Sequence, residues 1–200
     1  MGRCLFCTAC EKACPQAAIH FTQEHRLAAA KRKDLIVRPG PAPVASCKDD
    51  TASRYFRRSL KFREVSAGGC NACEADSNVL GTPAWDMGRF GIQFVASPRH
   101  ADGLWVTGPV PENMREALLK TYDAVPCPKV VVAVGSCAIS GGPYIDRSEV
   151  HKGAASLIPV DLYIPGCPPH PLTTLAALLA FVGRTTEKED CFVALQGSSQ

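Results

Sequence analysis

Cys70 and Cys73 stand two residues apart in SAGGCNACEAD (66–76), introduced by Gly68 and Gly69 and followed by Glu74 and Asp76. A C-x-x-C pair supplies two thiolate ligands or one redox couple. A tetrahedral metal ion or an iron–sulfur cluster needs further ligands. Two other cysteines follow strand-like apolar runs: Cys137 in GSCAISGG and Cys167 in PGCPPHP. Open parallel sheets bind ligands in the loops beyond the carboxyl ends of their strands. Cys70, Cys73, Cys137 and Cys167 can therefore converge from three loops. Structural zinc sites usually group their ligands as two close pairs. One pair joined by two well-separated single cysteines favours iron and sulfur, and the flanking glycines let backbone N–H groups approach cluster sulfides. Taken singly, Cys137 or Cys167 reads as a small buried residue at a strand end.

A second cysteine run opens the chain. CLFCTACEKACP carries Cys4, Cys7, Cys10 and Cys14, followed by Pro15, which is the bacterial ferredoxin spacing; zinc is the alternative. In two-cluster ferredoxins the fourth cysteine ligates the other cluster. Cys14 is then expected to serve a cluster whose remaining ligands lie elsewhere, leaving Cys4, Cys7 and Cys10 one ligand short. A partner, Cys47 or an upstream segment are the candidate sources. Cys127 and Cys191 have no partner at ligand spacing and read as buried or incidental thiols. His20, His25, His100, His151 and His170 form no motif, and GSCAISGG lacks the Lys-Ser/Thr of a phosphate loop.

The elements that must position these thiols are legible in outline. A chain of 200 residues forms one large domain or two small ones, and its 46% hydrophobic content is ordinary for a globular protein. Its 11 cysteines fall below the density of a disulfide scaffold. With no secretory signal visible, they read as metal ligands or reactive thiols of a cytoplasmic protein. The longest apolar run, 172–183, is too short to span a bilayer. Residues 1–64 carry a formal charge of +7 and residues 65–200 of −4, so two parts with different neighbours are expected. The division expected is a partial ferredoxin-like segment (1–38), a linker and basic docking segment (39–64), an α/β domain (65–184) and a tail (185–200). Leu60, Phe62 and Val65 suggest a short strand in RYFRRSLKFREV, which has no groove-binding motif beside it and implies no nucleic acid partner. FGIQFVASP, GLWVTGPV, KVVVAVGSC and VDLYIPGC read as further strands, with PENMREALLKTYDAV and HPLTTLAALLAFVG as helices. Strands alternating with helices give a parallel sheet covered on both faces.

RSLKFREVSAGGCNACEAD, MGRFGIQFVASPRHAD, VVVAVGSCAISGG and VDLYIPGCPPHP resemble the small subunit of membrane-bound, energy-converting [NiFe] hydrogenases of the formate hydrogenlyase type. That family is homologous to the 20 kDa iron–sulfur subunit of respiratory complex I. The resemblance covers about residues 54–184. It implies a flavodoxin-like fold in which Cys70, Cys73, Cys137 and Cys167 hold one [4Fe–4S] cluster, the last relay before a catalytic large subunit. A second, N-terminal cluster would be shared with a partner. The implied complex is an oxidoreductase with a large subunit carrying nickel and iron, ferredoxin-like subunits and membrane subunits, on the cytoplasmic face of the membrane. This chain would pass electrons and contain no catalytic residue. Complex I subunits typically have adjacent cysteines in the first loop, whereas hydrogenases have C-x-x-C, as here. The family's acid three residues beyond the pair is Asp76, and Glu74 follows Cys73 directly. Both are candidate proton-path carboxylates, with solvated loop acids as the plain alternative. The rival readings are a complex I-type quinone reductase subunit and a zinc-stabilised scaffold without redox chemistry.

Overall fold

The computed structural model describes residues 1–37 and 54–184. Five short strands carry the fold: β1 (Leu60–Ser66), β2 (Ile92–Phe94), β3 (Gly103–Thr107), β4 (Val130–Val134) and β5 (Leu162–Ile164). All pair in parallel, in the order β2-β1-β3-β4-β5. This is the flavodoxin order, whose ligand crevice opens at the carboxyl ends of the strands. The helices are α1 (Ala9–Ala13), α2 (Ala72–Val79), α3 (Glu112–Ala124), α4 (Gly135–Ser140) and α5 (Pro171–Phe181).

Every residue of β3 and β4 is buried, as expected of strands covered on both faces. Side chains alternate between two cores. Phe62, Trp105, Val132, Ile164, Leu178 and Phe181 pack together on one side. Val65, Leu104, Val106, Leu118 and Val131 pack together on the other. Trp105 anchors the first side, with the rings of Phe62 and Phe94 each centred 5.5 Å away. Its indole N–H donates to Ser77 Oγ at 2.9 Å, so its one polar atom is satisfied inside the core. Asp102 Oδ2 accepts from the Lys61 N–H, and Asp161 Oδ2 from the Val131 N–H, each at 2.8 Å. These carboxylates bond the backbone of β1 and β4 from just before β3 and β5, fixing strand register at the end remote from the cysteines.

The N-terminal residues are joined to this sheet. Ala29 forms an antiparallel bridge with Tyr163, its N–H donating to the Tyr163 carbonyl at 3.0 Å and its carbonyl accepting from the Tyr163 N–H at 2.9 Å. The open edge of β5 is thereby covered. Ala29 and Leu35 share a third core cluster with Ala133, Ala138, Ile139 and Tyr163. The sheet itself starts at Leu60, within the segment expected to link and dock. Cys47 and Cys191 lie outside the described residues. Among the described residues no helix is long and apolar enough to cross a membrane.

Phe181 is fully buried at the end of α5. Phe181→Ala is expected to cost about 3–5 kcal/mol by removing packing and leaving a cavity. Denaturant unfolding measures it; a change below about 1 kcal/mol would contradict this packing.

Candidate metal centre

The four predicted core ligands sit beyond the carboxyl ends of three strands. Cys70 lies in the turn after β1, Cys73 in the first turn of α2, Cys137 in α4 directly after β4, and Cys167 just past β5. The sequence led us to expect loops, but two of these cysteines begin helices. Asn71 takes the left-handed conformation (φ 69°) at the N-cap of α2, a region asparagine tolerates better than most residues. That turn separates Cys70 from Cys73.

The loops interlock through bare backbone. A Cβ on Gly135 (φ 85°) would lie 2.7 Å from Cys73 Sγ, and a Cβ on Gly142 would lie 2.7 Å from Cys137 Sγ. Both sulfurs therefore rest against glycine where a side chain would displace them. Ser136 ties the β4 and β5 ends together: its N–H donates to the Gly166 carbonyl at 2.8 Å and its hydroxyl to the same oxygen at 3.1 Å. The β1 and β3 ends are joined likewise, Ala67 N–H to Thr107 carbonyl at 2.9 Å and Val110 N–H to Ala67 carbonyl at 3.1 Å.

The thiols act on one another. Burial pushes the Cys73 thiol up to about 12, helped by Glu74 and then by Cys137, Cys167 and Cys70. Burial, then Cys167, Cys70 and Glu74, push Cys137 up to about 11. Cys167 is raised by burial and by Cys70. Cys73, Cys137 and Cys167 each lie where a thiolate is disfavoured, so a cation bound there would have to displace their protons. Among the described residues no three His, Cys, Asp or Glu side chains gather closely enough for a single metal ion. A donor set of thiolates alone fits zinc or an iron–sulfur group.

The two acids after Cys73 separate. Glu74 is buried, and its Oε1 accepts from the Ser66 hydroxyl at 2.6 Å and the Thr107 hydroxyl at 2.7 Å. Burial raises its pKa, but these hydroxyls and its own backbone N–H outweigh that and leave it below the usual value. Asp76 is half-buried. Sequence reasoning missed Glu64. It lies on β1 between Phe62 and Ser66 on one face, and its Oε1 is buried without a hydrogen-bond partner among the described residues. The period-two alternation of β1 was the signal that could have found it.

At the N-terminus Cys10 lies in α1 and Cys14 is its C-cap. Cys4 Sγ accepts from the Phe6 N–H and Cys14 Sγ from the Ala18 N–H, each at 3.3 Å. Backbone N–H groups of residues 16–19, Ala18 foremost, hold the Cys14 thiol below its ordinary pKa. Such N–H···S bonds suit sulfurs that carry negative charge to metal. Cys7 and Cys10 are exposed. The Ser136 hydroxyl also donates to the Cys4 carbonyl, so the N-terminal run touches the residue preceding Cys137. Cys127 is exposed rather than buried.

Residues 70–181 match the family described as NADH ubiquinone oxidoreductase, 20 Kd subunit. Formate hydrogenlyase subunit 7 of Escherichia coli (strain K12) is 40% identical over 145 residues, covering 72% of this chain and 56% of that protein. The match thus spans little more than half of that relative's length. An NADH-quinone oxidoreductase subunit of Clostridium beijerinckii is 37% identical over 162 residues, covering 80% of this chain and 89% of that one. Among solved structures, a chain of the membrane-bound sulfane sulfur reductase, an archaeal respiratory membrane complex, superposes with a TM-score of 0.56 at 31% identity, covering 72% of this chain and 86% of that chain.

Gly135→Ala is expected to destabilise the chain by about 1–3 kcal/mol, from backbone strain at positive φ and from the clash with Cys73. Denaturant unfolding checks this. An unchanged midpoint would mean that Cys73 does not rest against this turn.

Proposed function

The chain belongs to the NADH ubiquinone oxidoreductase 20 kDa subunit family, and on that footing we propose that it is the electron-transferring iron–sulfur subunit of a [NiFe] hydrogenase-like complex of the formate hydrogenlyase type. The observation that carries the reading is the C-x-x-C spacing of Cys70 and Cys73, brought to the same sheet edge as Cys137 and Cys167. A [4Fe–4S] cluster held there would accept and release one electron at a time.

The chain's own contribution is position and electrostatics. Cys70, Cys73, Cys137 and Cys167 supply the thiolates. Gly135 and Gly142 keep side chains away from two of the sulfurs. Ser136 holds the β4 and β5 ends at a fixed separation. Glu74, ionised and bonded by two hydroxyls, places a fixed negative charge beside Cys73. Negative charge near the site disfavours added electrons and lowers the potential.

Cys4, Cys7, Cys10 and Cys14 form the second proposed site, for a ferredoxin-type cluster completed by a partner or by Cys47. Ser136 supports a direct route between the two sites, because its hydroxyl reaches the Cys4 carbonyl while its own peptide leads into Cys137. Electrons would pass from ferredoxin-like subunits through this chain to a large subunit at the carboxyl edge of the sheet, supporting 2H⁺ + 2e⁻ ⇌ H₂. Membrane subunits would hold the assembly at the cytoplasmic face. A quinone reductase of the complex I type is the alternative, since the NADH-quinone oxidoreductase relative shares the family; the spacing of Cys70 and Cys73 weighs against it.

In the native complex, Cys137→Ala is expected to abolish the core cluster's EPR signal and assembly with the large subunit, whereas Cys127→Ala leaves both intact. The same complex should contain nickel and exchange electrons between hydrogen and an artificial dye. A preserved signal in Cys137→Ala would overturn the ligand assignment. A nickel-free complex that reduces quinone would overturn the reaction.

A further inference from the structure

The N-terminal cysteine run carries a ligand set that does not close on itself. With this spacing the first three cysteines bind one cluster and the fourth binds the other. Cys4, Cys7 and Cys10 therefore lack one ligand, and Cys14 is a ligand that those three do not use. A ferredoxin that has completed both of its own clusters has no cysteine left to offer. What fits is a second run that lacks the same ligand and carries the same unused one. Another copy of this chain is such a run. A two-fold axis satisfies both copies together, because the contact that takes Cys14 to the partner's three cysteines also brings the partner's Cys14 back.

Burial divides the N-terminal segment in two. Ala28, Ala29 and Leu35 are buried against the sheet domain. By contrast α1 has no buried residue, Cys7 and Cys10 are exposed, and so is every residue from Pro15 to Gln23. Two members of that stretch are large and apolar: Ile19 is 42% exposed and Phe21 36%. The Phe21 ring meets Phe6 edge to face, with centroids 6.2 Å apart. Phe6 stands between Cys4 and Cys7, so the apolar patch adjoins the ligand loop. Cys4 Sγ and Cys14 Sγ are held by different turns, through the N–H groups of Phe6 and Ala18. The exposed thiols and the exposed apolar side chains thus share one uncovered face, and covering it removes Ile19 and Phe21 from water.

We propose that two copies of this chain associate through their N-terminal runs, the Cys4, Cys7 and Cys10 of each being completed by Cys14 of the other. The inference rests on the ferredoxin-type reading of the run and names the partner that completes it. Each ligating thiol gives its proton to solvent as its sulfur–iron bond forms. Every cluster is then bonded to both copies, so cluster binding and association stabilise one another. The Ser136 hydroxyl ties each run to the residue before Cys137 of its own domain, and the pair joins two relays.

The test uses two variants of the full chain, one carrying Cys14→Ser and the other Cys4→Ser, Cys7→Ser and Cys10→Ser. Each is reconstituted anaerobically with iron and sulfide, alone and as a mixture, and weighed by native mass spectrometry. Alone, each is expected as a monomer with about four irons, those of the core, which also report that the domain has folded. The mixture is expected to form a heterodimer with about twelve irons, since one shared site can close, and the parent a dimer with about sixteen. Cys47→Ser in the parent is expected to change neither its mass state nor its iron. A monomeric parent with about eight irons, a mixture that gains none, or loss of iron with Cys47→Ser overturns the proposal and leaves the core reading standing. A dimeric parent whose only irons, about eight, vanish with Cys14→Ser refutes the core reading alone and supports the pairing. A parent that binds no iron overturns both.

Discussion

Burial of cysteines at one edge of a parallel sheet, where a thiolate is disfavoured unless a cation shares the site, is the constraint on which the rest of this structure depends. Burial and neighbouring charge disfavour the ionised forms of Cys73 and Cys137, so the protein gains nothing from the site until a cationic group occupies it. The strand ends that carry these cysteines are tied to one another. Ser136 on Gly166, Ala67 on Thr107 and Val110 on Ala67 are backbone ties that hold the edge. Behind them lie two strands buried along their whole length, with a packed core on each side.

The N-terminal segment extends that edge. Its bridge to β5 and its share of the third core cluster place Cys4 beside Ser136. Pairing between Ala29 and Tyr163 has no local signature, because two residues so far apart in sequence meet only when the sheet edge exists.

Legibility followed the physics of each element. VVVAV and the apolar helix 171–181 are readable because burial on all sides leaves a continuous hydrophobic run. The helix Ala72–Val79 escaped because its buried positions are Glu74 and Ser77. Polar groups turned inward invert the amphipathic pattern that marks a helix. Those residues face inward to meet Ser66, Thr107 and Trp105, so the element hardest to read is the one that carries the site's polar network. Glu64 looked like one more charge in a basic stretch, and only the register of β1 against β3 shows that it faces Trp105. Cys70, Cys73, Cys137 and Cys167 were singled out by their spacing and their place after strand-like runs, and the fold places all four beyond the carboxyl ends of strands.

The central claim is that Cys70, Cys73, Cys137 and Cys167 together hold one multi-iron group. Native mass spectrometry tests it most directly, on an anaerobically reconstituted chain carrying Cys4→Ser, Cys7→Ser, Cys10→Ser and Cys14→Ser. The account predicts a mass increase equal to about four irons and four sulfides, absent when Cys73→Ser is added. A chain that gains a single zinc ion, or that keeps its iron after Cys73→Ser, would contradict it.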